Sequence, residues 1–406
     1  MNASNGSTAF ASPAKPRTIA PGGVIGMLGG GQLGRMFAVA AAQLGYRVVV
    51  LADHPHSPAV AVADQAIIGD LNDRSLLDQL AQQCDVVTLE FENIPVESVR
   101  YLAQHVGVYP SADVLRIAQD RGIEKQTLRD AGLPVTPFRM VSSYADAASA
   151  LVELGEPIVL KTTRDGYDGK GQWKIISPAG LDDWAARPLE QGGLDFERPL
   201  IAEAWVHYQR EISVIIARGH NGETAVYPVF ENRHRNHILD VTICPAEISD
   251  QLKQRAAAMA VQAAEAIELV GLICIEFFLD QHDELMINEI APRPHNSGHL
   301  TIEACHTSQF EQQLRAVCGL PLGSTALLFP HAAMVNVMGD SWCEGQPPDW
   351  TPILQLAGAH LHLYDKGEAK VGRKMGHITL TGAASEQAQA VRSTLLSRNE
   401  PTEAHS

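Results

Sequence analysis

Apolar residues fall into short runs separated by polar or glycine-rich segments. Between residues 24 and 111, runs of strand length alternate with helical stretches, a pattern that predicts a parallel sheet covered by helices. We therefore expect a Rossmann-like N-terminal domain over residues 23–115. Its strands are predicted at 24–28, 46–52 and 84–91, and its helices at 32–44 and 96–104.

Strand-like runs dominate the middle of the chain, from residue 157 to residue 288. A helix rich in Ala and Gln interrupts them at 249–268, with Ser249 as a suitable N-cap. Two more helices are predicted at 112–131 and 301–318, because each stretch runs into Gly-Leu-Pro, a helix stop signal. The central domain is therefore predicted to be α+β.

Short strands with Gly and Pro follow, at 359–364 and 377–380, and predict a small, separate β-rich domain at the C-terminal end. The first 22 residues are rich in Ala, Ser, Pro and Asn and lack the apolar core of a signal peptide. We expect them to form a disordered tail.

Two acidic residues stand alone in apolar, strand-like runs: Glu276 within 273–279 and Glu289 within 285–290. The polar residues 281–284 between them predict a hairpin that brings both acids together. With the adjacent amide of Asn288 they would form a hard oxygen site suited to Mg²⁺. The alternative is a pair of edge-strand acids that face water.

The segment Gly-Gly-Gly-Gln-Leu-Gly at 29–34 follows a strand, opens a helix and satisfies GxGxxG, with Asp53 at a later strand end. This pattern is typical of dinucleotide-binding dehydrogenases. Its physics is less specific, since a helix N-terminus can receive the phosphate of any ligand. Because no later region offers a hydride-transfer site, we favour a substrate phosphate over a nicotinamide dinucleotide.

A second glycine-rich segment, 161–172, joins two predicted strands. Its glycines would let the backbone close over a ligand and present N–H groups to phosphate oxygens. Lys161 at a strand end and Lys170 in the loop would neutralise phosphate charge. The segment is not a Walker A loop, and the alternative is a plain glycine-rich hairpin.

Further polar groups lie at strand ends or in turns. The acidic segment around Glu90 is at the carboxyl end of its strand, where open α/β sheets bind ligands. Arg293 and His295 follow the metal hairpin directly and are placed to stabilise an anion made there. The segment 364–377 is basic in an otherwise acidic chain, which favours an anionic ligand over a merely solvated hairpin.

The 406 residues include 31 basic and 47 acidic side chains, for a net charge of −16. This balance argues against nucleic acid and anionic membranes as partners. No apolar run is long enough to span a bilayer. We therefore expect a soluble cytoplasmic enzyme.

Taken together, these motifs resemble the ATP-grasp carboxylate–amine ligases. Within that superfamily, the segments GGGQLGRM, EFENIP, IVLKTTRDGYDGKGQ, INEIAPRPHNSGH and YDKGEAKVGRKMGH are similar to the 5-(carboxyamino)imidazole ribonucleotide synthases of purine biosynthesis. The resemblance covers residues 24–380 and implies an ATP-grasp domain at 116–320, followed by the β-rich domain at 321–406.

The resemblance implies that ATP and bicarbonate form carboxyphosphate and ADP, and that the amine of aminoimidazole ribonucleotide is then carboxylated. It also implies two Mg²⁺ ions, replaceable by Mn²⁺, and a homodimer. Phosphorylation gives bicarbonate a leaving group, while the metal and lysines disperse the phosphoryl charge. A glycine-rich lid would exclude water from the labile intermediate.

The resemblance also implies roles for individual residues. Glu276 and Glu289 would carry the metals. Asp168, Lys170, Arg293 and His295 would be catalytic, with Asp168 handling the amine proton. The ribonucleotide would contact Gln32, Leu33, Glu90, Asn296, Lys366 and Arg373. ATP would contact Arg121, Lys161, Gly166, Tyr167, Asp168, Gly169, Lys170, Gly171, Gln172, Glu203, Ala204, Trp205, Val206, Glu211, His234, Asn288 and Glu289.

Three alternatives stay open at this point. A formate-using glycinamide ribonucleotide transformylase would share the ATP half but need another substrate pocket. A nicotinamide oxidoreductase is supported by GxGxxG alone. A non-catalytic nucleotide sensor would keep the glycine-rich loop but has no reason to keep both metal carboxylates.

Overall fold

The computed structural model describes residues 18–164, 171–343, 345–382 and 385–396. Its N-terminal part is a parallel sheet with the strand order β3-β2-β1-β4-β5. The elements are β1 (Val24–Leu28), α1 (Gln32–Gln43), β2 (Arg47–Ala52), β3 (Gln65–Ile68), α2 (Arg74–Gln83), β4 (Val86–Leu89), α3 (Val96–Leu102) and β5 (Gly107–Tyr109).

The predicted Rossmann-like architecture is confirmed, with one strand that the hydrophobic pattern did not reveal. That strand is β3 at the sheet edge, where only Ile67 of its four residues is buried. The predicted strand at 84–91 shortens to β4, because residues 90–93 leave the sheet at its carboxyl end.

A second sheet is antiparallel, in the order β6-β9-β7-β8, and belongs to the central part of the chain. The elements that follow β5 along the chain, up to β9, are α4 (Ala112–Ala118), α5 (Arg121–Asp130), β6 (Phe138–Val141), α6 (Tyr144–Leu154), β7 (Ile158–Thr162), β8 (Gln172–Ile175), α7 (Pro178–Ala186) and β9 (Leu200–Ala204).

The single helix predicted at 112–131 is two helices in the structure. Asp120 ends the continuity, because its backbone is extended and its side chain accepts hydrogen bonds from Gly122 N and Ile123 N as the cap of α5. Side-chain capping of this kind begins a new helix. The break places Arg121 at the first position of α5.

The large sheet has the order β15-β14-β10-β12-β13-β16-β18-β17, with β11 paired to β10. Its central elements are β10 (Tyr208–Arg218), β11 (Thr224–Val226), β12 (Phe230–Arg235), β13 (Ile238–Cys244), α8 (Asp250–Ala266), β14 (Gly271–Asp280), β15 (Leu285–Ala291), α9 (Thr301–Ala304) and α10 (Gln309–Val317). Its C-terminal elements are β16 (Ala332–Met338), α11 (Thr351–Leu354), β17 (Ala359–Leu363), β18 (Lys374–Thr381) and α12 (Ser385–Leu396).

The C-terminal part is rich in β-strands, as predicted, and its strands are hydrogen-bonded to the central sheet. Strand β16 pairs with β13 from Val241↔Val335 to Cys244↔Ala332, so the same sheet continues into the C-terminal part. This pairing could not be predicted from local sequence patterns, because it joins residues about ninety positions apart. No helix in the described ranges is both long and apolar enough to cross a membrane.

The helix predicted at 301–318 is also split, and Ser308 caps its second part, α10. Helix α10 buries Phe310 and Leu314 in one apolar cluster with Ile25 of β1 and Phe37 of α1. The N-terminal and central parts of the molecule therefore share a hydrophobic core.

We expect Phe310→Ala to destabilise the protein by about 3–5 kcal/mol, because the ring is almost fully buried in this shared core. Denaturant-induced unfolding, followed by fluorescence and circular dichroism, measures the change. Val152→Ala, at an 85% exposed position, is the control and should stay within about 0.5 kcal/mol. Equal effects of both substitutions would contradict the shared core.

Candidate active site

The two isolated carboxylates meet as the sequence predicts. Strands β14 and β15 are antiparallel neighbours, and Glu276 lies directly opposite Glu289. Each acid has a close side-chain partner: Glu276 Oε1 lies 2.8 Å from His295 Nε2, and Glu289 Oε2 lies 2.9 Å from Arg121 Nη1. The predicted hairpin is confirmed.

The electrostatics keep Glu289 ionised. Burial raises the pKa of its carboxyl, but the Arg121 guanidinium outweighs burial and holds that pKa below its usual range. Beside it, Asn288 Oδ1 is buried and accepts no hydrogen bond within the described residues. A buried acceptor without a donor is unusual and indicates a missing ligand.

These observations fit a hard divalent cation. Glu276, Glu289 and Asn288 supply oxygen atoms only, as Mg²⁺ prefers. A softer donor set is also present, since Cys274, Glu276 and His295 each place one donor atom within 4.8 Å of the others. The sulfur of Cys274 is a soft ligand, which suits Zn²⁺ or Cu⁺ better than Mg²⁺. The oxygen set is therefore the better candidate.

A buried charge network lies next to the hairpin. Lys161 Nζ is 2.9 Å and Lys125 Nζ is 3.5 Å from Glu203 Oε2. Burial raises the pKa of Glu203, but Lys125 and Lys161 outweigh it and lower that pKa below its usual range. The other oxygen, Glu203 Oε1, is buried with no hydrogen-bond partner among the described residues.

The sequence analysis did not identify Lys125 as a site residue. Its side chain is almost completely buried, and Nζ donates to Asn288 O at 2.9 Å. Lys125 lies four residues after Arg121 on α5, so both side chains share one helix face. That spacing was the signal in the sequence. Next to it, burial raises the pKa of Glu124 to about 8.

Glu211 on β10 and His234 on β12 form a third pair, with 2.8 Å between Glu211 Oε2 and His234 Nδ1. Burial by itself lowers the pKa of His234, but the hydrogen bond to Glu211 outweighs it and raises that pKa above 6.5. The pair lines a cavity of about 270 Å³ together with Tyr208, Gln209, Arg210, Glu231, Asn232 and Arg233.

The segment after β9 is held by backbone bonds. Ala204 N donates to Pro137 O at 2.9 Å and Trp205 N to Pro157 O at 3.2 Å, while Val206 follows directly. Lys174 Nζ lies 3.5 Å from the centroid of the Trp205 ring. The N–H groups of Ala204 and Trp205 are therefore engaged within the protein.

The glycine-rich loop is described only at its ends. Gly171 O accepts from Thr162 N, and Gln172 begins β8 opposite Lys161. The remaining predicted loop residues, Gly166, Tyr167, Asp168, Gly169 and Lys170, lie outside the described residues.

The helix N-terminus of the GxGxxG segment is in contact with the carboxyl group of Glu90. Gly31 N donates to Glu90 Oε2 at 2.8 Å and Leu33 N to Glu90 Oε1 at 3.2 Å. A Cβ at Gly31 would lie 2.2 Å from Glu90 Oε1, so this position needs glycine. Glu90 therefore occupies two of the donors at this N-terminus, and the binding of a substrate phosphate here stays a prediction.

Burial raises the pKa of Glu90, although the two backbone hydrogen bonds and the positive charge of Lys366 act in the opposite direction. Lys366 thus lies near enough to influence Glu90. Gln32, the first residue of α1, lies in the chain between the two residues that donate to Glu90 and is half-buried.

Arg293 joins the loop after β15 to the N-terminal part. Its Nη2 lies 2.8 Å from Glu92 Oε1, and a second hydrogen bond runs from Nε to Glu92 Oε2. Burial opposes ionisation of Glu92, but Arg293 outweighs burial and lowers its pKa to about 2. An anion at Arg293 must share the guanidinium with Glu92. The sequence analysis assigned no role to Glu92.

The basic C-terminal segment forms the loop between β17 and β18 and faces α1. Asp365 Oδ2 lies 3.9 Å from Arg35 Nη1 of α1. Arg373 Nη1 donates to Glu368 O at 3.1 Å. Asn296 does not belong to this loop. It lies after β15, and two hydrogen bonds join its side-chain amide to that of Asn336 on β16.

Three family models match consecutive parts of the chain. A ribonucleotide synthetase preATP-grasp domain matches residues 23–119, an ATP-grasp domain residues 126–310, and a phosphoribosylaminoimidazole carboxylase C-terminal domain residues 332–391. Together with the paired carboxylates and buried lysines, they define the protein as an ATP-grasp ligase.

Proteins of similar sequence identify the family within the ATP-grasp ligases. An N5-carboxyaminoimidazole ribonucleotide synthase from Bacillus subtilis is 46% identical over 361 residues, which cover 89% of this chain and 92% of that protein. The chain belongs to the N5-carboxyaminoimidazole ribonucleotide synthase family. The resemblance found in the sequence is thereby confirmed.

Solved structures that match this chain belong to the same family. An N5-carboxyaminoimidazole ribonucleotide synthetase in complex with ADP matches with a TM-score of 0.86 and 43% identity, covering 94% of this chain and 99% of that one. The Aspergillus clavatus synthase with ADP and 5-aminoimidazole ribonucleotide matches with a TM-score of 0.80 and 32% identity, covering 93% and 99%.

We expect Glu211→Gln to lower the pKa of His234, because the hydrogen bond and the charge of Glu211 are the main causes that raise it against burial. An NMR pH titration of labelled histidine, assigned with His234→Asn, measures this shift. Since the folded pKa is raised, the pair stabilises the protein fully below pH 6.5, and this contribution is lost as pH rises through the folded value.

Glu284→Gln is the matched control for this titration, because Glu284 is exposed and pairs with Arg255 instead of a histidine. It should leave the His234 titration unchanged. A His234 pKa that is the same in Glu211→Gln and in the parent protein would contradict the assignment.

Proposed function

We propose that this protein carboxylates 5-aminoimidazole ribonucleotide, using ATP and bicarbonate, to give 5-(carboxyamino)imidazole ribonucleotide, ADP and phosphate in de novo purine biosynthesis. The family and its ligand complexes support this activity. The structural observation that carries it is the direct pairing of Glu276 and Glu289 beside the buried Lys161–Glu203 pair.

The chemistry explains why ATP is needed. Bicarbonate is a poor electrophile, so an oxygen of bicarbonate first takes the γ-phosphoryl group, which forms carboxyphosphate and releases ADP. The substrate amine then attacks the carboxyl carbon. A carbon–nitrogen bond forms, phosphate leaves, and the amine loses a proton. Positioning and charge stabilisation dominate the catalysis of such phosphoryl transfers.

The ATP half of the site lies between the two antiparallel sheets. Glu203 Oε1 is a buried acceptor with no hydrogen-bond donor among the described residues. An adenine amino group or a ribose hydroxyl would donate a hydrogen bond to it. Lys161 and Arg121 would neutralise phosphate charge, and the Glu211–His234 pair would bind the nucleotide from the other wall. The glycine-rich segment 166–172 would close over the phosphates.

Mg²⁺ is proposed as the metal, with two ions expected and Mn²⁺ as a substitute. Glu276, Glu289 and Asn288 Oδ1 would hold it. When bound, the metal would neutralise charge on the phosphates of ATP during transfer. Since Arg121 now pairs with Glu289, binding of ATP would redirect this guanidinium towards the phosphates.

Bicarbonate and carboxyphosphate are proposed to contact Arg293 and His295. The ring of His295 is fixed by Glu276 on one nitrogen and by Ser297 Oγ, 2.8 Å away, on the other. This orientation places the imidazole at the metal edge of the site. Asp168 and Lys170 remain candidates for the amine proton and the intermediate's charge.

The ribonucleotide would bind between the N-terminal sheet and the C-terminal loop. Gln32, Leu33 and Glu90 line one side, and Lys366 and Arg373 would hold the 5′-phosphate from the other. Asn296 remains a proposed contact, and its amide is now paired with Asn336. A homodimer stays a prediction.

Measuring phosphate release with ATP and bicarbonate, with and without aminoimidazole ribonucleotide, tests the proposed function. We expect release to require all three compounds and to match the product formed. Turnover with formate and glycinamide ribonucleotide instead would identify a transformylase, and NADH formation would identify an oxidoreductase.

Glu276→Gln and Glu289→Gln should each lower kcat/KM at least about 100-fold, or about 2.7 kcal/mol, because each removes an anionic metal ligand without changing size. Steady-state kinetics across a Mg²⁺ series measures the loss, and circular dichroism checks the fold. Glu284→Gln in the turn of the same hairpin is the control and should keep full activity. Parent-like turnover of either variant at ordinary Mg²⁺ would refute the metal assignment.

Lys366→Ala and Arg373→Ala should raise the KM for aminoimidazole ribonucleotide about 10-fold and leave the KM for ATP unchanged, since each removes a cation facing the proposed phosphate. Initial rates with one substrate varied at a time separate the two constants. Lys370→Ala is matched, because this exposed lysine of the same loop pairs with Glu368. An equal rise in both constants would argue for a structural role instead.

A further inference from the structure

Gln309 is the first residue of α10, and its side chain is completely buried. Its amide bonds to the backbone of His295 in both directions. His295 N donates to Gln309 Oε1 at 2.9 Å, and Gln309 Nε2 donates to His295 O at 2.8 Å. The side chain thus replaces the neighbouring strand that would otherwise satisfy these two backbone groups.

The second amide hydrogen of Gln309 is also used. Nε2 lies 3.0 Å from His299 Nδ1, which accepts because burial lowers the pKa of His299 well below its usual range and leaves the ring neutral. The amide therefore makes three hydrogen bonds, all within the segment 295–299. Gly298 provides the space, since a Cβ there would lie 2.6 Å from Gln309 Oε1.

The ring of His295 is held by a separate chain of buried groups. His295 Nδ1 contacts Ser297 Oγ, which lies 3.0 Å from Ser213 Oγ, and Asn232 Nδ2 donates to Ser213 at 2.9 Å. These bonds set the rotation of the imidazole. They do not fix the position of the His295 backbone relative to the sheet. The hydrogen bonds from the Gln309 side chain fix that position.

Helix α10 is rigidly placed, because its next residue, Phe310, packs in the core shared with the N-terminal sheet. We propose that Gln309 is a positioning residue. It would transmit the position of the ribonucleotide half of the molecule to His295, and so align the imidazole with Glu276 and the reacting carboxyl group. This inference depends on the role of His295 proposed above.

The same helix offers a matched control. Gln312 is equally buried, its Oε1 accepts from Gly323 N at 2.8 Å, and its Nε2 donates to Gly323 O at 2.8 Å. This is the same bidirectional bond to one backbone residue. Gly323 lies in the connection that follows α10, to which no catalytic role is assigned.

The experiment compares Gln309→Glu and Gln309→Leu with Gln312→Glu and Gln312→Leu in the full chain. Glu keeps the size and the acceptor but removes both donors, whereas Leu removes all three bonds. ATP cleavage, carboxylated product, both KM values and thermal unfolding are measured for each. His295→Asn is assayed in parallel.

We expect both Gln309 variants to form product at least about 10-fold more slowly, because a small misplacement of a reacting group has an effect of this size or larger. The ratio of product to ATP cleaved should fall, while the KM for ATP stays within about twofold of the parent value. The Gln312 variants should lose similar thermal stability yet keep the parent ratio and rate.

The outcomes separate the two hypotheses. If His295→Asn forms product normally, the proposed role of His295 fails. If His295→Asn is defective and folded Gln309→Glu is parent-like, the positioning role of Gln309 fails. If the Gln312 variants lose the product ratio as well, the effect is a general loosening of α10, and the proposal is overturned. Gln309→Glu decides the matter should Gln309→Leu not fold.

Discussion

The register of the β14–β15 hairpin is the constraint on which the active site depends. Glu276 and Glu289 are directly opposed across antiparallel strands, an arrangement that destabilises the sheet unless other charges compensate it. The partners of both acids come from outside the hairpin: the Arg121 guanidinium of α5 pairs with Glu289, and the His295 ring of the following loop lies 2.8 Å from Glu276. The side chains that contact the acids in this structure are thus the ones proposed to bind ATP and bicarbonate.

The same reasoning extends to the buried charges around Glu203. Ion pairs that are removed from water contribute little net stability, because desolvation offsets their attraction. Clustered groups of perturbed pKa are more typical of functional sites. Lys125 supports this interpretation, since its Nζ contacts both Glu203 and the carbonyl oxygen of Asn288 and so connects β9 to the β14–β15 hairpin.

The N-terminal and central parts are connected by both polar and apolar contacts. The Arg293–Glu92 ion pair joins the loop after β15 to the end of β4, and α10 packs into the core of the N-terminal sheet. A ribonucleotide bound at Glu90 would therefore lie on the same rigid framework as the loop after β15, which carries Arg293. Such rigidity favours a reaction in which the labile intermediate must react with the amine before it is hydrolysed by water.

The sequence alone determined the features that depend on neighbours along the chain: the parallel N-terminal sheet and the hairpin of Glu276 and Glu289, because strand periodicity and a short turn are local signals. Tertiary structure decided the contacts between distant residues. Glu90 contacts the helix N-terminus of the GxGxxG segment, and β16 extends the central sheet. Neither could be inferred, because the partner of a buried charge or of a strand edge is fixed only when remote segments pack together.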